Sequence, residues 1–182
     1  GFMFYPPSPR YIAPADAAAL TADLPTHVGR VGVFVNETAE HMLAVAGQCG
    51  LTALQLHGDE PDDVVRALTA YQVIKAIRLQ SDHDLAQVDG YAGVDLLVDA
   101  VCDDWGGGGQ TSDWRLAARA AARRPIILAG GLTPENVTTA LDAVRPAGVD
   151  VSSGVEAERG VKDTARIRRF IRAVRAWEGT PA

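Results

Sequence analysis

The sequence predicts an α/β fold of the (β/α)8 (TIM) barrel class, with seven parallel strands and therefore one βα unit short of eight. Three observations predict it. Short runs rich in Val, Ile and Leu alternate with longer helical patterns over the whole chain of 182 residues, and strict alternation of this kind implies parallel strands with helices outside. The runs are continuously apolar rather than alternating, as strands buried on both faces should be. Glycines crowd the late turns ("GGGG" after the fifth run, "AGG" after the sixth, "SSG" after the seventh). Phosphate sites in late loops are a barrel feature, whereas an open doubly wound sheet places its glycine-rich turn after the first strand.

The elements follow in order. Phe2 to Tyr5 is the first strand candidate, and "PADAAALTADL" supplies the helix after it. "RVGVFV", Arg30 to Val35, is the second strand. It leads into "TAEHMLAVAGQCG", with Thr38 as N-cap and Gly50 as C-cap. "ALQLH", Ala53 to His57, precedes "EPDDVVRALTAY", whose Pro and acids in the first turn suit the helix dipole. "VIKAI", Val73 to Ile77, and "DLLVDA", Asp95 to Ala100, are the fourth and fifth strands, and "WRLAARAAARR" is an Ala-rich helix ending in cations. "PIILAGG" from Pro125 is followed by "TPENVTTALDAV", with Thr133 as N-cap and Pro134 at N1. "GVDVSSG" from Gly148 is the last strand. The closing "DTARIRRFIRAVRAW" places Ile167, Phe170, Ile171 and Val174 on one face. No composition break divides the chain, so a single domain over residues 1–182 is expected.

Bulk composition narrows the function classes. The chain is 47% hydrophobic, enough for a real core, yet no apolar stretch is long enough to span a bilayer. A formal net charge of -6 argues against a nucleic-acid surface. It leaves room for a small anionic ligand, which local backbone amides can hold. The two cysteines, Cys49 and Cys102, have neither metal-like nor disulfide-framework spacing, which fits a reducing, cytoplasmic setting. Sequons at Asn36 and Asn136 are read as chance matches.

The residues able to carry chemistry lie at strand ends. In "LAGGLTPENV", Gly130 and Gly131 let backbone N–H groups approach a ligand, and a helix beginning at Thr133 would favour an anion; the competing reading is a plain βα turn. "VDVSSGVE" adds a second small-residue turn, with Asp150, Ser152, Ser153 and Gly154, and the two together point to a phosphate site. Asp99 ends a buried strand, where barrel enzymes place catalytic groups. A carboxylate there is costly unless paired, hydrated or functional; a helix cap or an ion pair is its structural alternative. Gly106 to Gly109 form a loop able to close over a ligand, without the Lys-Ser/Thr pair of a P-loop. Asp113 reads as an N-cap rather than a catalyst, and Cys102 lacks a charge partner that would make it a nucleophile. Gln55 and His57 share one side of their strand by the period of two. His57 is equally readable as a structural group, while His27, His41 and His83 read as surface residues. Arg10, after the rigid "PPSP", can clamp a carboxylate or phosphate bidentately, or remain a solvated loop arginine.

Taken together, "GFMFYPPSPRYI", "RVGVFVN", "LTALQLHGDEP", "VIKAI", "LLVDA…GGGGQTSDW", "AGGLTPENV" and "VDVSSGVE…GVKD" resemble, in this order over the whole chain, the phosphoribosylanthranilate isomerases of tryptophan biosynthesis. The resemblance implies a (β/α)8 barrel needing no cofactor and no metal. It implies an Amadori rearrangement of N-(5'-phosphoribosyl)anthranilate to 1-(2-carboxyphenylamino)-1-deoxyribulose 5-phosphate. Asp99 matches the family's general acid and Arg10 the arginine that holds the anthranilate carboxylate. Gly130, Gly131, Ser152, Ser153 and Gly154 match its phosphate turns. Gln55, His57 and Asp150 join them as candidate substrate-binding residues. The expected partner is a phosphorylated small molecule, with no nucleic acid and no membrane, in a monomer or homodimer.

The family's general base is a cysteine in a "KICG" motif on its first strand, and neither Cys49 nor Cys102 matches that position. The sequence matches strands 2–8, so the first βα unit is expected to be missing. The expected consequences are residual activity, a strained or open barrel, and a tendency to associate. Two other readings stay open. One is a barrel fragment that binds phosphorylated ligands without catalysis. The other is a neighbouring phosphate-binding barrel enzyme such as indole-3-glycerol-phosphate synthase, for which Lys75 is the sole strand-end lysine on offer.

Overall fold

The computed structural model describes residues 1–99 and 114–179. Its seven strands β1 to β7 follow one another in sequence order in one sheet: β1 (Phe2–Met3), β2 (Val31–Phe34), β3 (Ala53–Leu56), β4 (Gln72–Arg78), β5 (Asp95–Asp99), β6 (Ile126–Ala129) and β7 (Gly148–Val149). Pairing is parallel from β1 through β4 and again from β5 through β7, with Val33 opposite Gln55, Leu56 opposite Lys75, and Asp99 opposite Ala129. The α/β alternation expected from the sequence is therefore present. The first strand is shorter than its apolar run. Beyond Met3 the chain turns at Tyr5–Ser8 and comes back, so that Ile12 N–H donates to the Met3 carbonyl at 3.0 Å. Phe4 N–H still donates to the Val33 carbonyl at 2.9 Å, and Tyr5 lies in the turn beyond it. Among the described residues no helix is long and apolar enough to cross a membrane.

The chain gathers into two compact units. The first holds Gly1–Ala76 and Gly93–Asp95, with helices α1 (Pro14–Thr21), α2 (Ala39–Cys49) and α3 (Asp62–Ala67). Its core centres on Phe34, Met42, Leu54, Leu56 and Leu68, all fully buried, with Phe4 stacked on Phe34 at 5.3 Å between ring centroids. All four residues of β3 are buried, the polar Gln55 included. Thr38 caps α2 as expected, its hydroxyl accepting from His41 N–H at 3.2 Å, and Gly50 closes the helix with φ 58. Cys49 is buried, with its thiol on the Pro14 carbonyl at 3.2 Å, and burial pushes its pKa up, which keeps it in the unreactive protonated form.

The second unit holds Ile77–Ala92 and the described residues from Leu96 onward, with helices α4 (Ala86–Gly90), α5 (Arg115–Ala121), α6 (Val137–Val144) and α7 (Thr164–Glu178). A capping box at Ser81 and Asp84 opens a 3-10 turn, Asp82–Leu85, that runs into α4. A two-stranded antiparallel hairpin, β8 (Glu156–Glu158) and β9 (Val161–Lys162), follows β7 and was not anticipated from the sequence. Three residues are too few to show a period, and only Gly160, at φ 86, hints at its turn. Two expectations need correction. The buried face of α7 is Ile167, Phe170, Val174 and Trp177, while Ile171 is 43% exposed: positions 167, 170, 174 and 177 track the 3.6-residue period, and 171 falls to the edge of that stripe. The other concerns Thr133. The regular helix α6 begins only at Val137, and Thr133 heads a single turn ahead of it, with its hydroxyl taking Glu135 N–H and its carbonyl taking Asn136 and Val137 N–H.

Candidate active site

In the first unit, the residues past the strand ends are fixed by side chains. Lys75 on β4 and Glu60 just ahead of α3 form a buried ion pair at 2.7 Å, 3% and 5% exposed. Glu60 was expected to serve the first helical turn, which Asp62 and Asp63 do instead. Its carboxylate turns back to accept Asn36 N–H at 3.0 Å and Gly58 N–H at 2.9 Å, and Lys75 also donates to the Gly58 carbonyl. Burial alone would raise the pKa of Glu60. The Lys75 hydrogen bond and the backbone N–H of Asn36 outweigh it and hold the carboxyl below its usual range. Asn36, at φ 52, accepts Asp59 N–H on its side-chain oxygen at 2.7 Å. A side chain at Gly58 would collide with that amide, so glycine is required by close approach.

This network brackets His57. Gln55 and His57 share a face as expected, and the Gln55 amide meets His57 Nδ1 at 3.0 Å. With the amide N–H donating, Nδ1 accepts and a neutral ring keeps its proton on Nε2. Gln55 is buried and His57 half-buried. Arg10 is half-buried at the end of the folded-back "PPSPR" loop, where its N–H donates to the Ser8 hydroxyl at 3.2 Å. His27, His41 and His83 are exposed.

In the second unit, the corresponding loops are shaped by backbone. Asp99 is the half-buried last residue of β5. Its partner in register is Ala129, immediately before the turn at Gly130 (φ 90) and Gly131 (φ 62). Both φ values lie where a side chain is strained. Asp150 follows β7, is exposed, and donates its N–H to the Leu128 carbonyl at 2.8 Å. The turn Ser152–Gly154 then lies directly on the first one: a Cβ on Gly154 would overlap the Leu132 carbonyl. The structure therefore brings Asp99, Gly130, Gly131, Ser152, Ser153 and Gly154 to one set of strand ends within this unit.

The helix dipole expected at Thr133 plays a smaller part there. Thr133 N–H is taken by the Asn136 side chain at 2.8 Å, Glu135 N–H by the Thr133 hydroxyl, and Pro134 has none. The Asn136 amide also donates to the Gly131 carbonyl at 3.0 Å, so Asn136 ties its own turn, whereas Asn36 accepts from Asp59 N–H in the loop after the next strand. Lys162, carried by "GVKD", was not singled out in the sequence, yet it reaches the Ser152 turn. Its ammonium donates to the Ser152 carbonyl and to Glu156, each at 2.8 Å. Cys102, the glycines 106–109 and Asp113 lie outside the described residues.

The chain matches the family model of N-(5'-phosphoribosyl)anthranilate (PRA) isomerase over residues 1–173. The chain belongs to the N-(5'-phosphoribosyl)anthranilate isomerase family. Two members are the isomerase of Thermotoga maritima, 47% identical over 94% of this chain and 85% of that protein, and that of Syntrophus aciditrophicus, 46% identical over 98% and 78%. The crystal structure of the Thermotoga maritima phosphoribosyl anthranilate isomerase matches with a TM-score of 0.90 over 97% of this chain and 87% of that one. A phosphoribosyl anthranilate isomerase crystallised with reduced 1-(o-carboxyphenylamino)-1-deoxyribulose 5-phosphate matches with a TM-score of 0.86 at 44% identity over 97% and 86%. Membership makes this an isomerase of tryptophan biosynthesis acting on N-(5'-phosphoribosyl)anthranilate, rather than a synthase of the same pathway. Lys75, the residue that a synthase reading would have used, is committed to its ion pair with Glu60.

Proposed function

We propose that Asp99 is the general acid of the isomerisation, within a single (β/α) barrel domain whose strands β1 to β7 correspond to the family's second to eighth. The observation that carries the assignment is the place of Asp99: it ends β5 in register with the residue preceding Gly130–Gly131. Protonation of the furanose ring oxygen by Asp99 breaks the C1–O bond and leaves a Schiff base at the anthranilate nitrogen. Removal of the C2 proton gives the enolamine. Its tautomerisation yields the aminoketose with no net gain or loss of electrons, so acid–base groups suffice.

The turns at Gly130–Gly131 and Ser152–Gly154 hold the phosphate through backbone N–H groups, and Arg10 holds the anthranilate carboxylate. The reduced ribulose 5-phosphate derivative bound by a 44% identical relative supports a phosphorylated substrate of this kind. Gln55 holds the His57 ring in one tautomer, and Gln55, His57 and Asp150 are further substrate-binding residues. In the family the base is a cysteine on the strand ahead of the one matching β1, and neither cysteine of this sequence, Cys49 or Cys102, matches that position. The protein works in the cytoplasm as a monomer or homodimer.

Asp99→Asn tests the assignment. Turnover is expected to fall by about two orders of magnitude or more, as for loss of a general acid, while affinity for the reduced product analogue stays close to wild type. Near-normal kcat in that variant removes Asp99 from the mechanism. Strong turnover by the 182-residue chain as it stands would move C2 proton removal to another residue, with His57 the nearest candidate.

A further inference from the structure

We infer that Lys162 is a positioning residue for the phosphate: by holding the Ser152 carbonyl, it turns the Ser153 N–H outward as a donor. The inference rests on the phosphate reading of the Ser152–Gly154 turn. Lys162 is placed by the hairpin. Gly160 reverses the chain, Glu156 pairs with Lys162 across the ladder, and Asp163 N–H donates to the Val155 carbonyl at 2.8 Å. Asp163 then caps α7 by accepting Ala165 and Arg166 N–H at 2.7 and 3.1 Å. The lysine is thus anchored to the start of the longest helix, ten residues past the turn that it reaches.

Its three ammonium protons meet three acceptors: the Ser152 carbonyl at 2.8 Å, the Ser152 hydroxyl at 3.3 Å and Glu156 Oε1 at 2.8 Å. A lysine has only three donors, so this ammonium is already saturated and its charge is matched by the buried Glu156 carboxylate. That arrangement suits geometry better than direct capture of an anion. A trans peptide unit is planar, with its C=O and N–H pointing in opposite directions. Drawing the Ser152 carbonyl toward Lys162 therefore aims Ser153 N–H the other way. Ser153 and Gly154 N–H have no protein acceptor among the described residues. The contact of Gly154 with the Leu132 carbonyl fixes the other side of the turn.

The test is a titration of the 15N-labelled full chain with ribose 5-phosphate, followed at the Ser153 and Gly154 amides. Wild type is expected to shift both resonances on binding. Lys162→Met is expected to displace them in the ligand-free protein and to weaken binding about tenfold, the size of one lost charge-assisted hydrogen bond. A positional role keeps that factor at about 0.5 M potassium chloride, whereas attraction by charge alone is screened there. In turnover, KM should rise with kcat little changed, and Lys162→Arg, which retains donors to the Ser152 carbonyl, should recover most of the affinity. Lys162→Gln replaces Lys162→Met if the latter loses its far-UV circular dichroism. Unchanged affinity in the variants, or a loss that vanishes at high salt, overturns the positioning role. Absence of any shift at Ser153 and Gly154 in wild type overturns the phosphate site itself, and with it this inference.

Discussion

The two units solve the same problem, fixing the residues past a strand end, by different means. In the first unit, side chains do it: Glu60 and Lys75 form a buried ion pair, and Asn36 and Gln55 fill the remaining hydrogen-bond positions around Gly58 and His57. In the second, backbone does it: two left-handed glycines, a glycine pressed on a carbonyl, and a lysine bound to a carbonyl. The difference suits the roles proposed for each. An imidazole or guanidinium has to be aimed, and a satisfied polar network around it restricts its orientation. A phosphate wants several N–H groups at once, and those are offered only where the chain has no side chain in the way.

The sharpest break of the comparison is Lys75→Met. It strands a carboxylate among buried groups, and removal of one partner of a buried pair costs about 3–5 kcal/mol. A large fall in Tm near neutral pH is expected. The cost depends on pH with a definite sign. Glu60 has a lowered pKa in the folded protein, so its stabilisation is present above the unfolded value of about 4.3 and is lost as pH falls through the lower folded value. The gap in Tm between wild type and Lys75→Met should therefore narrow in acid. A gap independent of pH would mean that the pair contributes packing rather than charge.

Gly131→Asp attacks the second unit's device instead. The residue sits at φ 62, where a side chain costs about 1–3 kcal/mol in strain, and the new carboxylate stands beside the proposed phosphate. Binding of ribose 5-phosphate should weaken well beyond tenfold, on the order of the repulsion expected between nearby charges. Unchanged affinity with the fold intact would count against a backbone phosphate site. Arg10→Ala probes the first unit more gently. Loss of one charged hydrogen-bonding group costs about 1.5–3 kcal/mol, and it should be seen only by ligands carrying the anthranilate carboxylate. A ligand such as ribose 5-phosphate should bind equally well, and equal losses for both would place Arg10 elsewhere in the site.

The order of strands and helices, the capped helix α2, and the residue types at the strand ends were legible in the chain, because continuous apolar runs, period-3.6 stripes, cap residues and glycine pairs are local signals. Three things needed the fold. Glu60 and Lys75 are 15 residues apart in sequence, and nothing local tells a charged residue ahead of a helix that its partner is on the next strand rather than in solvent. The Ser152 turn and Lys162 are joined by a hairpin of two and three residues, too short to carry a period. The requirement for glycine at 154 comes from the Leu132 carbonyl, 22 residues earlier in the chain. The sequence by itself determined the order of the seven parallel strands and most of the helices between them, since those preferences act over a few neighbouring residues, but not the β8–β9 hairpin, the helical turns between β4 and β5 or where α6 starts. Which residues are bound to one another, and so which N–H groups and charges remain to meet a ligand, was decided only by packing, because a hydrogen bond between distant segments has no counterpart in either segment alone.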